Sequence, residues 1–387
     1  MSPNTLYRCQ YRALVFALLL ASAVHAQQTS QPFETALQDE SGRQRWTLVE
    51  RMDHYGVPGM SMALVRNFEI SFTGTYGDRI KGKEPVDTDT VFSVGSLSKT
   101  AAAMTALSLV SQGALDLDTD VNQYLTSWQI PGSRSANGKP VTLRRLLSHT
   151  SGTSVWGFGD FQPDEKLPSV LEILDGKDPA KNEPIRVVYE PGTDFRYSGG
   201  GITVAQLVTA DVTGIDFEPL AERLVFSALG MSRSTFANPL PAAVGNIAHA
   251  YDSEGEPAAL PRGWHGFAET GASGLWTTPT DYATMMLALI DSYRGGANSF
   301  LSQSVAQEAL TSVPPSPHGL GPGVYGSGVD MIIRHSGANE SYKAWYEFYP
   351  NRGEGVVIFT NGARGKELYS EILPAIRQQM NWPEQKK

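Results

Sequence analysis

A serine and a lysine three residues apart, Ser96 and Lys99, have the types and spacing that suit nucleophilic chemistry. On a helix, side chains at i and i+3 lie over the same face, so the hydroxyl and the amine can meet. A serine attacks a carbonyl only after a base removes its proton, and a lysine acts as that base only where it is neutral. The pair therefore predicts a serine nucleophile with a lysine base.

The tetrad Ser-x-x-Lys occurs once in the chain, and a single short motif also arises by chance. The alternative interpretation is structural: Ser96 would cap the N-terminus of a helix and Lys99 would be solvated. A helix start at Ser96 is common to both interpretations, and its partial positive charge would favour an oxyanion nearby.

The sequence after Ser96 predicts that helix. Apolar residues recur at intervals of three and four and would share one buried face: Leu97, Ala101, Met104, Leu107 and Val110. Gly113 is expected to end the helix.

The first 26 residues predict a cleavable secretory signal peptide. Arg8 and Arg12 precede an apolar run, and Val24-His25-Ala26 is a small-residue cleavage site. The run is too short to remain as a membrane span. We therefore expect a periplasmic or secreted chain that begins near Gln27, with no integral membrane segment after cleavage.

Composition excludes several classes of protein. The 387 residues are 41% hydrophobic, which indicates a globular chain. The formal charge of −9 argues against nucleic acid as a partner. The one cysteine, Cys9, lies in the predicted signal peptide, so the exported chain should have no disulfide and no thiolate ligand. His54, His249, His265 and His318 show no ligand spacing, so neither a metal site nor a cofactor is expected.

Strand patterns lie towards both ends of the chain and helical patterns lie between them. Alternation predicts strands at 60–65, 68–74, 331–335, 342–349 and 355–360. Helical periodicity predicts helices at 33–52, 143–148, 169–174, 202–213, 218–228, 281–292, 302–310 and 367–380. Pro374 inside the last segment predicts either a kink or a later start.

This order predicts an α/β (α+β) architecture. An antiparallel sheet built from both termini would be flanked by terminal helices, with an all-helical lobe inserted. We expect one catalytic domain over 27–387, with a sheet lobe at about 33–95 and 320–387 and a helical lobe at about 96–319. A cleft between two such lobes is a common place for a ligand.

Several short motifs occur in a fixed order along the chain. They are Val57-Pro58-Gly59, Ser96-Leu97-Ser98-Lys99, Leu146-Leu147-Ser148-His149-Thr150-Ser151-Gly152, Tyr197-Ser198-Gly199, Gly271-Ala272-Ser273-Gly274-Leu275 and His335-Ser336-Gly337. In this order the chain resembles the serine β-lactamase and penicillin-binding-protein superfamily. The nearest branch is that of class C β-lactamases, D-alanyl-D-alanine carboxypeptidases and family VIII esterases. The resemblance implies a β-lactamase/transpeptidase-like fold.

The resemblance also implies catalytic roles for three residues. Ser96 would carry the acyl group, Lys99 would take the Ser96 proton, and Tyr197 would move protons to the leaving group and help deacylation. A tyrosine that acts as phenolate needs a nearby cation, for which Lys99 is the natural candidate. The alternative for Tyr197 is an ordinary buried tyrosine.

The third motif implies a substrate-binding strand. His335 or Ser336 would reach the substrate, Gly337 would permit close approach of backbones, and the N–H groups of Ser96 and Ala338 would form the oxyanion hole. For His335, a purely structural role at the end of a strand is the alternative.

One position departs from the family pattern. Gly199 stands where the family's Tyr-x-Asn element has asparagine, which ordinarily binds the catalytic lysine and the substrate amide. Asn339 is a candidate to supply an amide from the other side. The departure leaves three functions open: a β-lactamase or D-alanyl peptidase, a carboxylesterase on small acyl esters, and a non-catalytic penicillin-binding or sensory module. In the first two, the partner is a small or peptide-like acyl substrate.

Overall fold

The computed structural model describes residues 31–35, 37–38, 45–131, 138–162, 164–297 and 299–383. The predicted signal peptide lies outside these ranges. Within them, no helix has the length and apolar character needed to cross a membrane.

The strands of the described ranges follow in chain order. They are β1 Leu37–Gln38, β2 Arg45–Trp46, β3 Gly59–Arg66, β4 Glu69–Ile80, β5 Glu84–Pro85, β6 Phe92–Ser93, β7 Trp276–Thr277, β8 Gly323–Tyr325, β9 Ile332–Ala338, β10 Lys343–Tyr349 and β11 Glu354–Thr360.

The helices lie mostly between β6 and β8. They are α1 Leu48–Tyr55, α2 Ser98–Ser111, α3 Leu143–Leu147, α4 Val170–Asp175, α5 Gly199–Thr213, α6 Phe217–Ala221, α7 Ser227–Leu229, α8 Thr270–Ser273, α9 Pro279–Arg294, α10 Gln303–Ala309 and α11 Gly365–Met380. A π-helical segment, Glu222–Phe226, joins α6 to α7.

The main sheet has seven strands in the order β5-β4-β3-β11-β10-β9-β8, and each neighbouring pair is antiparallel. The early strand β3 therefore pairs directly with the last strand, β11. This confirms the α+β prediction of one antiparallel sheet built from the two ends of the chain. The domain and lobe boundaries themselves stay predictions.

The two faces of this sheet are both buried. Successive side chains of a strand point to opposite faces. On β3, Met60, Met62 and Leu64 pack in the cluster that holds α1 and α11, whereas Ala63 and Val65 pack in the larger cluster with α2 and α9. A sheet covered on both faces is a rigid platform for a site at its edge.

Helix α2 is buried on nearly all sides. Leu97, Ala101, Met104 and Leu107 are buried as predicted, while Val110 is only partly so. The residues between them, from Ser98 to Leu109, are buried as well. The predicted single apolar face was therefore too narrow, and Lys99 lies inside the protein.

The predicted helix at 33–52 is wrong. The structure has a 3-10 turn at Pro32–Thr35, the short strands β1 and β2, and then α1. Thr47 starts α1, because its hydroxyl accepts from the Glu50 N–H and the Glu50 carboxylate accepts from the Thr47 N–H. Within this segment, Leu37 and Met52 are buried, Trp46 is partly buried and Val49 is exposed.

The other predicted helices and strands are present, with ends shifted by a few residues. Thr278 caps α9, with Pro279 at its first position, as such a sequence indicates. Pro374 lies inside α11, so it does not mark the start of that helix. Strand β8 was missed because it has only three residues.

Glycines allow the segment before α2 to lie directly on β9. A Cβ added to Gly337 would be 1.9 Å from the carbonyl oxygen of Val94. A Cβ added to Gly95, whose φ is +50°, would be 2.8 Å from the backbone of Ala338. These two glycines therefore set the distance between Ser96 and the third motif.

We expect Gly337→Ala to lower the free energy of unfolding by about 1–3 kcal/mol, because the methyl group forces the two backbones apart. Urea denaturation measures this change. The control is Gly157→Ala, where an added Cβ meets no atom within 4 Å, and which should change stability by less than about 0.5 kcal/mol. Equal stability of the two variants would contradict the tight contact.

Candidate active site

Ser96 lies in the 3-10 turn Gly95–Leu97 that leads into α2. The Lys99 Nζ atom is 3.0 Å from the Ser96 Oγ atom and 2.7 Å from the carbonyl oxygen of Ala272 in α8. The predicted meeting of hydroxyl and amine is thus present in the structure. The alternative of a solvated lysine is wrong, since Lys99 is 3% exposed.

Burial changes the charge of Lys99. Desolvation lowers the pKa of its amine to about 7, against a smaller opposing effect of the Glu269 carboxylate. Near neutral pH a large fraction of Lys99 is therefore neutral and holds a lone pair. Such an amine can accept the Ser96 proton while it donates to Ala272.

Tyr197 precedes Ser198, the N-cap residue of α5, and its ring lies beside Lys99. Ser198 caps α5 through its hydroxyl, which accepts from the Gly201 N–H. The His149 Nδ1 atom accepts from the Ser198 N–H at 3.2 Å, and the His149 ring lies 4.2 Å from the Tyr197 ring. His149 therefore braces the tyrosine.

The Tyr197 phenol is protonated in this environment. Burial raises its pKa above the ordinary value, and only a hydrogen bond with Ser96 opposes that effect. Lys99 lies over the ring face, with Nζ 5.1 Å from the centroid, and it is itself partly neutral. The expected stabilisation of a phenolate by Lys99 is thus not found here.

His335 contacts Tyr197 from β9. Its Nδ1 atom is 2.6 Å from the Ser336 carbonyl oxygen, which can only accept, so Nδ1 carries the proton. The Nε2 atom then offers a lone pair to the Tyr197 hydroxyl, 3.4 Å away. Burial is the largest of the causes that lower the pKa of His335 to about 3, and the charges of His318 and Lys99 act in the same direction. The ring is therefore neutral.

The outer edge of β9 is open beside Ser96. Strand β8 pairs only with Ile332–Arg334, and in the described ranges no strand pairs with the outer edge of Ser336–Ala338. Ser336 and Ala338 are exposed there. An extended substrate could therefore lie along this edge.

There is no space for a side chain at Gly199, the position that departs from the family pattern. A Cβ at Gly199 would be 2.9 Å from the Phe158 ring and 3.2 Å from the carbonyl oxygen of Trp156. Asn339 donates from Nδ2 to Ser93 Oγ at 2.7 Å and accepts at Oδ1 from the Tyr342 N–H at 3.0 Å. Its amide therefore holds the turn after β9.

A cleft of about 560 Å³ is lined by the site residues Ser96, Lys99, Tyr197, His335, Ser336, Ala338 and Asn339. Several lining residues were not singled out as site residues from the sequence: Trp156, Phe158, Asp160, Ser273, His318, Tyr325, Arg334 and Trp345. They come from loops and strands far apart in the chain, so only Ser273, which lies in a recognised motif, carried a sequence signal. Behind the cleft, burial raises the pKa of Glu269 to about 7.

A family model described as Beta-lactamase matches residues 46–380, and the chain belongs to this family. A β-lactamase of Pseudomonas fluorescens is 24% identical over 349 residues, which is 81% of this chain and 91% of that protein. Esterase EstB of Burkholderia gladioli is 28% identical over 280 residues, 67% of this chain and 66% of the esterase.

The fold is shared with solved structures. D-alanine carboxypeptidase AmpC from Burkholderia cenocepacia superposes with a TM-score of 0.64 at 22% identity, covering 85% of this chain and 96% of that one. The predicted superfamily and fold are confirmed, and the chain is a serine hydrolase of the β-lactamase and penicillin-binding-protein type.

We expect Lys99→Met to be more stable than the natural chain at pH 7, with a margin that shrinks towards pH 10. In the unfolded state Lys99 has a pKa near 10.4 and is charged at pH 7. Folding at pH 7 must therefore remove a proton or bury a charge, and either one lowers the free energy of unfolding. That cost is complete below pH 7 and disappears as pH rises through the unfolded pKa.

Urea denaturation at pH 7, 8, 9 and 10 measures the margin. Lys366→Met is the control, since Lys366 is exposed on α11. A margin that is constant with pH would contradict a lowered pKa for Lys99.

Proposed function

We propose that this chain is an exported hydrolase that cleaves a β-lactam or D-alanyl-type amide through an acyl-enzyme on Ser96. The observation that carries the proposal is the 3.0 Å contact between the Ser96 hydroxyl and the amine of Lys99, which burial keeps partly neutral. The leader pattern of residues 1–26 supports export to the periplasm or the medium.

In the acylation step, the Ser96 Oγ atom bonds to the carbonyl carbon while Lys99 Nζ takes the hydroxyl proton. The carbonyl oxygen becomes an oxyanion, for which the N–H groups of Ser96 and Ala338 are the proposed donors. Collapse of this intermediate breaks the C–N bond. The leaving nitrogen then requires a proton.

Tyr197 is the proposed donor of that proton. Its raised pKa keeps the phenol protonated, and its hydroxyl lies between Ser96 and the unprotonated Nε2 atom of His335. The phenolate left behind recovers a proton from the Lys99 ammonium, which restores the starting state. Deacylation runs these transfers in reverse. The Tyr197 proton passes to Lys99, the phenolate takes a proton from the attacking water, and the Lys99 ammonium returns a proton to Ser96 Oγ as the acyl group leaves as a carboxylic acid.

The open edge of Ser336–Ala338 supports an amide substrate. A peptide-like acyl group can add to it as a strand, with backbone hydrogen bonds that hold the scissile carbonyl at Ser96. Gly337 permits the close approach of the Val94–Gly95 segment, which brings Ser96 to this strand.

A carboxylesterase is the second candidate, and a specific observation favours it. Phe158 fills the space beside Gly199, and the Asn339 amide is occupied by Ser93 and Tyr342. Gly199 therefore offers no amide group to a substrate amide, and Asn339 keeps only one free N–H and one free lone pair of its amide. An ester needs no such contact.

Intact mass of the purified protein distinguishes these functions. We expect a covalent adduct after mixing with a β-lactam, and no adduct with Ser96→Ala. Ser253→Ala is the control, since Ser253 is exposed and remote in sequence from the cleft motifs.

A transient adduct with turnover would indicate a β-lactamase, and a persistent one a peptidase or a penicillin-binding sensor. Turnover of p-nitrophenyl butyrate without a β-lactam adduct would identify the esterase. If neither reagent reacts through Ser96, the acyl-enzyme proposal is wrong.

The rate of acylation should rise with pH and level off above about 7, because only neutral Lys99 can accept the Ser96 proton. Lys99→Arg stays charged and should lose about 100-fold or more. In Glu269→Gln the step should move to lower pH, since the carboxylate that raises the pKa of Lys99 is gone. Disappearance of the step in Glu269→Gln would instead assign it to Glu269.

A further inference from the structure

Three side chains from distant parts of the chain meet at the wall of the cleft. Asp160, His265 and Glu340 each place a possible ligand atom within 4.8 Å of the others. Asp160 also lines the cleft, whereas His265 is buried and Glu340 is mostly exposed. Spacing along the chain gives no sign of this group.

His265 carries the strongest sign of a missing ligand. It is 3% exposed, and both of its ring nitrogens are buried without a hydrogen-bond partner. Nδ1 is 4.0 Å from the nearest oxygen of Asp160, and Nε2 is 3.8 Å from that of Glu340. A buried polar group without a partner costs free energy, and both nitrogens of His265 lack the partner that would offset this cost.

The backbone holds the group in place. Phe161 and Gly266, the residues after Asp160 and His265, exchange two backbone hydrogen bonds of 3.0 and 2.9 Å. The Glu340 N–H donates to Asp160 Oδ2 at 3.1 Å and so orients that carboxylate. Outer contacts of this kind are typical of metal ligands.

One cationic side chain, Lys343, lies near the two carboxylates of this group. The nearby Lys343 ammonium donates to the carbonyl oxygens of Asn339 and Glu340, and it acts on the Asp160 and Glu340 carboxylates through its charge.

We propose that Asp160, His265 and Glu340 bind a divalent transition-metal ion, with Zn²⁺ as the best match. One imidazole nitrogen and two carboxylate oxygens are ligands that Zn²⁺ accepts, at about 2.0–2.2 Å. The Glu340 side chain is 75% exposed and can move the short distance that closes the site. Water would complete the coordination.

Such an ion would join the loop that carries Asp160 to the turn after β9. Asp160 and Asn339 of these segments line the cleft, so the ion would strengthen a link that the Glu340 N–H bond to Asp160 already makes. The site does not depend on Ser96, and its existence is independent of the proposed reaction.

Calorimetric titration of EDTA-treated protein with ZnCl₂ tests the proposal. We expect one ion per chain, and a loss of affinity of at least about tenfold in Glu340→Ala and in Asp160→Asn. Ser96→Ala should bind as the natural chain does. The controls for adventitious surface binding are His54→Ala and Glu254→Ala, which remove an exposed histidine and an exposed carboxylate.

Thermal unfolding separates loss of the site from loss of the fold. Zn²⁺ should raise the Tm of the natural chain, as any ligand of the native state does, and at the same concentration should raise that of Glu340→Ala less. Without metal, Glu340→Ala should melt like the natural chain, because its side chain is exposed. Absence of binding by the natural chain, or equal affinity in Glu340→Ala and His54→Ala, would overturn the proposal.

Discussion

The close contact between two backbone segments is the constraint on which the site depends. Val94 and Gly95 lie against Gly337 and Ala338 with no space for a Cβ at either glycine. This contact brings the start of α2 onto the edge of the main sheet. The candidate nucleophile and the candidate substrate strand are therefore neighbours because of packing, and a rigid sheet with two buried faces maintains their separation.

The second condition is the removal of water from Lys99. Helix α2 is enclosed by other helices, and the Ala272 carbonyl gives the amine a partner at 2.7 Å. Desolvation then lowers the pKa of the amine, while the same burial raises the pKa of the Tyr197 phenol. One environment thus prepares a base and an acid on either side of Ser96, which is the division of roles that acyl transfer requires.

The same cleft contains features that the β-lactamase family does not by itself explain. Phe158 occupies the space beside Gly199, and Asp160 in the cleft wall lies next to the buried His265, whose imidazole has no hydrogen-bond partner. The first feature bears on which acyl group is accepted. The second bears on what holds the wall in place. Both are properties of this chain's loops, and loops are where members of one fold diverge in function.

The sequence by itself determined the elements whose signals are local. Alternation located β3 and β11, helical periodicity located α9, and the spacing of Ser96 and Lys99 indicated their contact. Local periodicity failed at 33–52, where β1 and β2 precede a short α1. Only the tertiary structure decided the charge states of Lys99 and Tyr197 and the meeting of Asp160 with His265. Desolvation and contacts between distant residues are set by packing of the whole chain, which no local pattern contains.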